Sequence, residues 1–432
     1  MAISDIAARG VALIGAAAIR ARRFTRHDGP PAVGGAPDIP EARKQRVMTL
    51  KMPTAKGWEG DHRPTPAPGL KVTAFARDLQ HPRWIEVLPN GDTLVAEAIP
   101  ARGKPKSAFD YAAQVTMARA GAMGTSANRI TLYRGLKDGV AQERHTFREG
   151  LNQPFGMALV NGTFYVGNTD GVLAFDHAEG ATRLQGPGRP VASFKPGGHW
   201  TRSLLASPDG TKLYAGVGSL SNIGDMGMEA EEDRAAIHEI DLATGTQRIF
   251  AGGLRNPVGL AWEPSTGALW TVVNERDGLG DETPPDYLTS VKDGAFYGWP
   301  WCYWDRVVDD RVPANPEMVA KALTPDYALG GHTACLGLAW VPEGTLPGVP
   351  AGMAIGQHGS WNRATLSGYR VIHVPFSDGK PSGPPRDLLT GFLSEDEKWS
   401  YGRPVGVAVG ADARSLLVAD DVGNVIWRIA GA

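Results

Sequence analysis

Six short loops, each immediately before an apolar segment of the chain, carry a polar or cationic group; five of them contain arginine or histidine, and four contain arginine. A guanidinium can form paired hydrogen bonds with a carboxylate, and a histidine can accept a proton near neutral pH. If these loops surround one concavity, they predict a receptor for a polyanionic small molecule with a base beside it. The loops are His81-Pro82-Arg83, Asn152-Gln153-Pro154, His199-Trp200-Thr201-Arg202, Arg255-Asn256-Pro257, His332-Thr333-Ala334 and Gly402-Arg403-Pro404.

A further polar stretch, Asn274–Asp277, is rich in carboxylate and carbonyl oxygens. Such oxygens are the ligands that a hard divalent cation such as Ca²⁺ prefers. The alternative for all of these loops is a solvated rim with no ligand. Turn chemistry accounts for Asn, Asp and Gly in loops, but not for repeated Arg and His. The residue types therefore favour a face that holds an anion, a cation and a base together.

The apolar segments that follow these loops belong to an internal repeat. Each copy has an apolar strand, a turn rich in Pro, Gly, Asn or Asp, and a second apolar strand, which is the pattern of a tight hairpin. The six copies are Trp84–Glu97, Gly156–Asn168, Ser203–Gly218, Gly259–Asn274, Gly337–Gln357 and Gly406–Asp420.

Shorter apolar segments supply a third and a fourth strand to most copies, as in Ile130–Arg134 and Thr146–Arg148. Four antiparallel strands repeated six times predict an all-β fold, a six-bladed β-propeller. Val72–Ala76 has no earlier blade to join, so we expect it to pair with the last blade and close the ring. A β-sandwich, or two all-β domains, is the alternative, but neither normally repeats one hairpin six times.

In such a blade, the loop that enters the innermost strand and the loop that leaves the second strand lie on the same face. The chemically active loops should therefore meet at one end of the central channel. The spacing between repeats is irregular, and this predicts insertions at Pro100–Asn128, Gly278–Trp304 and Gly391–Tyr401.

The composition of the 432 residues excludes several classes of protein. The 55 Gly and 33 Pro are spread along the chain and exclude a helical bundle. The 44 basic and 46 acidic residues nearly cancel, which argues against nucleic acid as a partner. The two cysteines, Cys302 and Cys335, provide no metal motif, and they leave two separate thiols and a single disulfide as alternatives.

The N-terminal region, residues 1–68, differs from the repeats at 69–432. Gly10–Ile19 is apolar but too short to span a bilayer, and the arginines after it do not suit a cleavage site. A short anchor or a helix on a membrane surface fits, so weak membrane association through this segment is expected. Residues from about Phe24 to Pro68 are rich in Pro and Gly and are interpreted as a linker or an arm.

From about Gly69 onward the chain resembles the sugar dehydrogenases that depend on pyrroloquinoline quinone (PQQ), the soluble glucose and sorbosone dehydrogenase group. The family fold is a six-bladed propeller, in agreement with the repeat count. The motifs that carry the resemblance are GGHWTRSLLASPDG at Gly197–Gly210, LRNPVGLAW at Leu254–Trp262, DGAFYGWP at Asp293–Pro300, HGSWNR at His358–Arg363, and Arg403-Pro404-Val405.

The resemblance implies a role for each matching residue. His199 is implied to be the general base, and Arg255 with Asn256 to stabilise charge on the reactive quinone oxygen. Backbone carbonyls of Glu275, Arg276 and Asp277 are implied to bind Ca²⁺, although the family's glucose enzymes have Gly-Pro where this chain has Arg276-Asp277. The residues predicted to bind PQQ are Asn152, Gln153, Arg202, Arg255, Asn256, Arg363 and Arg403.

The predicted function is hydride transfer from an aldose, or from a sugar aldehyde such as sorbosone, to PQQ in the presence of Ca²⁺. A quinone or a cytochrome is the expected electron acceptor, and the periplasm is the expected compartment. A lactonase propeller with a cation held by Glu97, Asn168, Asn222 and Asn274 is one alternative, and a non-catalytic binding propeller is another. The ring of arginines favours the dehydrogenase, because a lactonase needs no polyanion receptor.

Overall fold

The computed structural model describes residues 32–43, 49–100, 103–105 and 107–432. Six four-stranded antiparallel blades form a ring, as the repeat predicts. The strands, in order from the channel outward, are Pro82–Val87, Thr93–Glu97, Arg129–Lys137 and Val140–Arg148 in blade 1; Met157–Val160, Thr163–Asn168, Gly171–Asp176 and Arg189–Ser193 in blade 2; Arg202–Ala206, Lys212–Val217, Ala236–Asp241 and Gln247–Gly252 in blade 3; Pro257–Glu263, Ala268–Val273, Pro285–Val291 and Tyr327–Gly331 in blade 4; Cys335–Val341, Gly352–Gln357, Arg370–Ser377 and Arg386–Thr390 in blade 5; and Pro404–Val409, Ser415–Asp420, Val425–Gly431 and Leu70–Ala76 in blade 6.

The apolar core lies between neighbouring blades. Ala158 and Val172 of blade 2, for example, pack against Leu204 and Leu213 of blade 3, and all four are buried. The first strands of successive blades contact one another around the channel. Because the blades are fixed by this packing, the loops at the ends of the first two strands are held in a ring.

Leu70–Ala76 closes the ring, as predicted. It pairs antiparallel with the third strand of blade 6, Val425–Gly431, and Ala76 lies opposite Ile426. The sixth blade is therefore built from two distant parts of the chain.

Blade 4 differs from the prediction at one place. The region Gly278–Trp304, predicted as an insertion, contains the third strand of the blade, Pro285–Val291. Its fourth strand, Tyr327–Gly331, comes only after a short hairpin of Cys302–Tyr303 with Val307–Val308 and the helix Pro316–Lys321, which Asn315 caps. The adjacent prolines Pro284 and Pro285 interrupt the apolar alternation by which the other strands were predicted, so the sequence did not indicate this strand.

The other two predicted insertions lie outside the regular blades. The first contains the helix Ala108–Arg119, and the second contains the short strand Trp399–Ser400. Two further short elements are the 3₁₀ helix Met228–Glu231 and the strand Lys380–Pro381 on the edge of blade 5.

The described part of the N-terminal arm, residues 32–43 and 49–68, packs on the propeller through three short strands. Val33–Gly34 extends blade 4, Thr65–Pro66 extends blade 5, and Thr54–Ala55 pairs in parallel with Trp399–Ser400. The predicted apolar segment Gly10–Ile19 lies outside the described residues. None of the helices in the described ranges has the length and apolar character needed to cross a membrane.

The two cysteines are separate thiols, which is the first of the two alternatives that the sequence left open. Cys302 and Cys335 are buried and each is a free thiol.

Candidate active site

A cavity of about 260 Å³ opens on the face of the ring that carries the entering loops of blades 3, 4 and 5. It lies among loops that were predicted to meet, because they enter the first strand or leave the second strand of a blade on the same face of the ring. Its lining consists of His199, Arg255, Asn256, Asn274, Glu275, Asp277, Asp286, His332, Ala334, Ser360, Trp361 and Asn362.

Five of the predicted site residues line this cavity together. His199 precedes the first strand of blade 3, and Arg255 and Asn256 precede the first strand of blade 4. Glu275 and Asp277 follow the second strand of blade 4. Each residue therefore lies at a strand end on the same side of the sheet, and the blade geometry brings the ends together.

The histidine is held in one tautomer by the backbone. His199 Nδ1 lies 2.9 Å from the carbonyl oxygen of Ser219, and a carbonyl can only accept, so Nδ1 carries the proton and donates. Burial, followed by the positive charge of Arg255, lowers the pKa of His199 to about 3. The imidazole is therefore neutral at pH 7, and no described residue hydrogen-bonds its Nε2 lone pair.

A glycine allows two of these residues to approach each other. A Cβ on Gly218 would collide with the Asn256 side-chain oxygen and with the Cβ of His199. Asn256 Oδ1 is itself buried without a hydrogen-bond partner among the described residues. A buried amide oxygen without a partner is costly, so this atom is one that a bound molecule would satisfy.

Arg255 is a buried cation whose donors are directed to the surrounding loops. Its Nη1 donates to the Glu275 carbonyl oxygen at 2.7 Å, and Nε and Nη2 donate to Asn222 at 3.2 and 3.0 Å. The carboxylate of Asp277 lies 3.5 Å from Nη2. This cation places positive charge at the wall of the cavity beside Asn256.

Asp277 joins a second histidine to the cavity. Its Oδ1 lies 3.5 Å from His332 Nδ1 and also accepts from Asn362. Burial on its own would raise the pKa of Asp277, but His332 and Arg255 together lower it. Burial lowers the pKa of His332, and the hydrogen bond and charge of Asp277 outweigh that effect and raise it. The two side chains thus shift each other's pKa in opposite directions beside the cavity.

The loop predicted to bind Ca²⁺ does not fit a cation in this arrangement. The Glu275 carbonyl oxygen faces the Arg255 guanidinium, and the Asp277 carbonyl oxygen accepts from the Arg276 guanidinium at 3.0 Å and from Asn222 at 3.2 Å. The Arg276 side chain is paired with buried Asp309 and is absent from the cavity lining. Among the residues that the structure describes, no three His, Cys, Asp or Glu side chains form a metal-binding group.

Two of the predicted PQQ-binding arginines instead support the protein itself. Arg202 has no exposed surface and donates to the carbonyl oxygens of Lys195, His199 and Thr201, so it fixes the histidine loop from beneath. Arg363 is paired with Glu282 and donates to the carbonyl oxygens of Asp281 and Gly331. Both arginines satisfy loop carbonyls that the blade ends leave unpaired.

The remaining predicted residues, Arg403, Asn152 and Gln153, lie outside the cavity lining. Arg403 donates through Nε and Nη2 to the carbonyl oxygens of His358 and Gly359, next to Ser360, and no described residue accepts from its Nη1. Asn152 donates to Asp170 at 2.8 Å, and Gln153 donates to the Ile99 carbonyl oxygen at 3.3 Å. Both belong to the entering loop of blade 2, which does not reach the cavity.

A second polar group lies on the same face, where blades 5, 6 and 1 meet. We call it the Asp421 cluster, and it comprises His81, Arg83, His358 and Asp421. Asp421 Oδ2 is 2.8 Å from His358 Nε2, 3.2 Å from His81 Nε2, and also paired with Arg83. Burial would raise the pKa of Asp421, but the three basic side chains hold it far below its usual range.

The histidines of this cluster are neutral hydrogen-bond donors. Burial lowers the pKa of His81 to about 4, and burial with the nearby Arg403 lowers the pKa of His358 to about 3; Asp421 opposes both shifts. The cluster thus contains one carboxylate whose charge is matched by one close guanidinium.

The sequence analysis gave no catalytic, cofactor-binding or metal-binding role to several residues that line the cavity. Asn362, Trp361 and Ser360 line the cavity, and His332 completes its floor. All four lie in loops that the repeat had placed on this face, so position was a usable signal. His332 belongs to a recurring residue type, and the other three belong to the HGSWNR motif, but neither feature by itself assigned them a role in the site.

Comparison with known proteins agrees with the motifs. Residues 64–431 match the sequence profile of a family described as TrAA12-like. The chain belongs to this family. The match covers the whole ring, and it confirms the resemblance to PQQ-dependent sugar dehydrogenases that the motifs carry.

Individual relatives share less than a third of their aligned residues with this chain. A pyrroloquinoline quinone-dependent pyranose dehydrogenase of Coprinopsis cinerea is 26% identical over 54% of this chain and 39% of its own length. A Borreliella burgdorferi protein is 29% identical over 54% of this chain and 60% of its own length. The aligned regions thus span less than two thirds of these relatives.

Solved structures of related proteins share the fold. An AA12 carbohydrate-active enzyme of Trichoderma reesei, in an iodide structure, superposes with a TM-score of 0.69 at 19% identity, over 90% of this chain and all of the other. The holo PQQ domain of the Coprinopsis cinerea pyranose dehydrogenase superposes with a TM-score of 0.69 at 20% identity, over 88% of this chain and all of the other.

Proposed function

We propose that this protein oxidises a pyranose or another aldose, with PQQ as the hydride acceptor. The observation that carries the proposal is the His199 imidazole, which is neutral, held by Ser219 through Nδ1–H, and left with an unpartnered Nε2 in a cavity beside Arg255 and Asn256. Family membership supports the cofactor, because relatives with this fold are named for PQQ dependence.

The residues present suit PQQ in part. PQQ carries three carboxylates, and the unpartnered Nη1 of Arg403 and the buried charge of Arg255 are the cations best placed to meet them. The unpartnered Asn256 Oδ1 shows that this wall has a polar atom left to satisfy. Arg202 and Arg363 are engaged with the protein and are left out of the proposed binding set.

The chain contributes a base, a cation and positioning to the reaction. Bound PQQ would supply the hydride acceptor. His199 Nε2 would take the hydroxyl proton of the sugar, and Ser219 would hold the imidazolium that forms. A base whose pKa is about 3 is too weak to ionise a free hydroxyl, so proton transfer must be concerted with loss of hydride from the substrate carbon.

Arg255 and Asn256 would stabilise the negative charge that develops near them as the hydride leaves the sugar. Because Arg255 is buried and fixed by Asn222 and Glu275, it needs no reorganisation during the reaction. The loop Glu275–Asp277 does not fit Ca²⁺ in this arrangement, so no step assigned here uses a metal ion.

The remaining parts of the proposal concern partners and compartment. We propose an external quinone or a cytochrome as the final electron acceptor, a sugar aldehyde such as sorbosone as an alternative substrate, and the periplasm as the compartment. They rest on the family resemblance, since neither the cavity nor the described arm identifies an acceptor.

A lactonase function is less well supported. Glu97, which such an enzyme would need as a metal ligand, is fully buried and accepts from Arg129 and Thr131. Asn274 Nδ2 donates to the Cys335 carbonyl oxygen at 2.6 Å. These side chains are therefore occupied within the protein.

The deciding experiment adds PQQ to purified apo-protein, with and without Ca²⁺, and follows dye reduction with glucose, other aldoses and sorbosone. We expect reduction that depends on PQQ and is saturable with at least one sugar. Gluconolactone hydrolysis is measured in parallel. Hydrolysis without PQQ, together with no dye reduction, would replace the dehydrogenase by the lactonase.

A further inference from the structure

The N-terminal arm lies against the face that contains the cavity. Most of its described part, namely residues 32–43 and 49–63, precedes the region that matches the family profile, which begins at residue 64. Val33–Gly34 attaches it to the outer edge of blade 4, and Thr65–Pro66 attaches the chain to the outer edge of blade 5. Between these attachments the arm contacts loops on the face that contains the cavity.

The first contact is with the segment that follows Asp277. The Arg43 amide donates to the Leu279 carbonyl oxygen at 2.7 Å, and Thr283 Oγ1 donates to the Pro40 carbonyl oxygen at 2.8 Å. These bonds hold the part of blade 4 that continues from the cavity wall.

The second contact is with the loop that carries Trp361. The Lys51 amide donates to the Trp361 carbonyl oxygen at 2.8 Å, and Lys51 Nζ donates to the Ala364 carbonyl oxygen at 3.0 Å. Lys51 also forms an ion pair with Glu397, and the two side chains are only 25% and 19% exposed. One residue of the arm thus joins the cavity loop of blade 5 to the insertion before blade 6.

The arm is itself anchored beyond Lys51. Trp58 Nε1 donates to Asp420 Oδ2 at 2.6 Å, and the indole packs edge-on against Phe392 and Trp427. A tether with a buried aromatic anchor can restrain a loop, whereas a free tail cannot.

We propose that Lys51 is a positioning residue, which fixes the Trp361 wall of the cavity and thereby sets the affinity for the sugar. The inference rests on the proposed function for its substrate. A loop that must be ordered at the moment of binding reduces affinity, and a loop ordered in advance does not. No hydrogen bond or ion pair joins His199 to the described residues of the arm, so turnover should be spared.

The test is Lys51→Ala, with Lys56→Ala as the matched control. Lys56 lies in the same arm, but its side chain is 41% exposed, and its contacts are a 3.6 Å ion pair with Glu59 and the Tyr401 ring, 6.0 Å from Nζ to the ring centroid. For Lys51→Ala we expect KM for the sugar to rise roughly five- to tenfold and kcat to stay within about twofold. Lys51→Arg, which keeps the ion pair with Glu397, should restore most of the affinity. Equal KM values for the Lys51→Ala and Lys56→Ala variants would overturn the proposal.

Hydrogen exchange on the apo-protein separates this proposal from the proposed function. Lys51→Ala should speed amide exchange across residues 358–365 and leave residues 255–262 unchanged. If the wild type reduces no dye with PQQ, the proposed function fails, and the exchange result alone decides whether Lys51 holds the loop. Faster exchange with an unchanged KM would show that the loop is held but does not position the sugar, which overturns the proposal.

A second variant covers the case in which Lys51→Ala does not fold. Glu397→Gln removes only the partner of the Lys51 ion pair. It should raise KM for the sugar and speed amide exchange of residues 358–365, as Lys51→Ala does, but by less. If neither KM nor amide exchange changed, the role of Lys51 would be contradicted.

Discussion

Two polar regions lie on the same face of the ring, and they differ in what is left unpaired. In the Asp421 cluster, one carboxylate oxygen meets three basic side chains, and the two atoms left without a partner, Asp421 Oδ1 and Arg83 Nε, are buried outside the cavity lining. In the cavity, by contrast, His199 Nε2 and Asn256 Oδ1 have no partner among the described residues. Neither residue type nor an unpaired atom alone distinguishes a structural cluster from a candidate reactive site, but unpaired atoms on residues that line a cavity do.

The largest expected effect concerns the cavity. His199→Gln removes the basic Nε2 and keeps a polar side chain of similar length, so we expect dye reduction to fall roughly 10²- to 10⁴-fold. PQQ affinity, measured by quenching of tryptophan fluorescence, should stay within about threefold. Full dye reduction in this variant would show that another group is the base and would remove the distinction between the two regions.

The next effect concerns the Asp421 cluster. Asp421→Asn leaves the buried Arg83 without its counter-charge, and breaking a buried pair in this way costs about 3–5 kcal/mol. Urea unfolding measures the loss. The matched variant is Asp277→Asn, whose carboxylate is 17% exposed and borders the cavity, and which should cost clearly less stability. Equal losses would mean that both regions are structural to the same degree.

The smallest effect is the loss of stability in acid. The folded-state pKa of His358, about 3, lies below the ordinary value of 6.5, so the unfolded chain takes up a proton first as the pH falls. The contribution of neutral His358 to the free energy of unfolding is therefore complete above pH 6.5 and is lost as the pH falls toward 3. At pH 5 the loss from this residue is about 2 kcal/mol.

His358→Gln isolates that contribution, because glutamine can still donate to Asp421 but does not titrate. The free energy of unfolding of this variant should fall between pH 7 and pH 5 by about 2 kcal/mol less than that of the wild type. An identical pH dependence would show that His358 is already protonated in the folded cluster.

The fold was largely readable from the sequence, because each hairpin has its own turn and the apolar strands repeat. The same repeat correctly indicated that His199, Arg255 and Asp277 would meet. It could not indicate where long side chains point. Arg202 and Arg363 lie in the right loops, but their guanidinium groups reach inward to carbonyl oxygens that no pattern reveals.

The calcium prediction shows the same limit. The loop has the expected oxygens, but whether a carbonyl faces an open cavity or a guanidinium depends on the neighbouring blade. Here Arg255 occupies the Glu275 carbonyl oxygen. The third strand of blade 4, Pro285–Val291, was missed for a different reason, namely its prolines and its mixed polar composition.

The pairing of Leu70–Ala76 with Val425–Gly431 has a consequence for how the chain folds. Ala76 and Ile426 are 350 positions apart, so this contact carries a large loop-closure entropy and should be among the last to form. Until it forms, the third strand of blade 6 exposes an unpaired edge, at which a second chain could add its own strand. Completion of the ring is thus also the step that protects the newly made protein from aggregation.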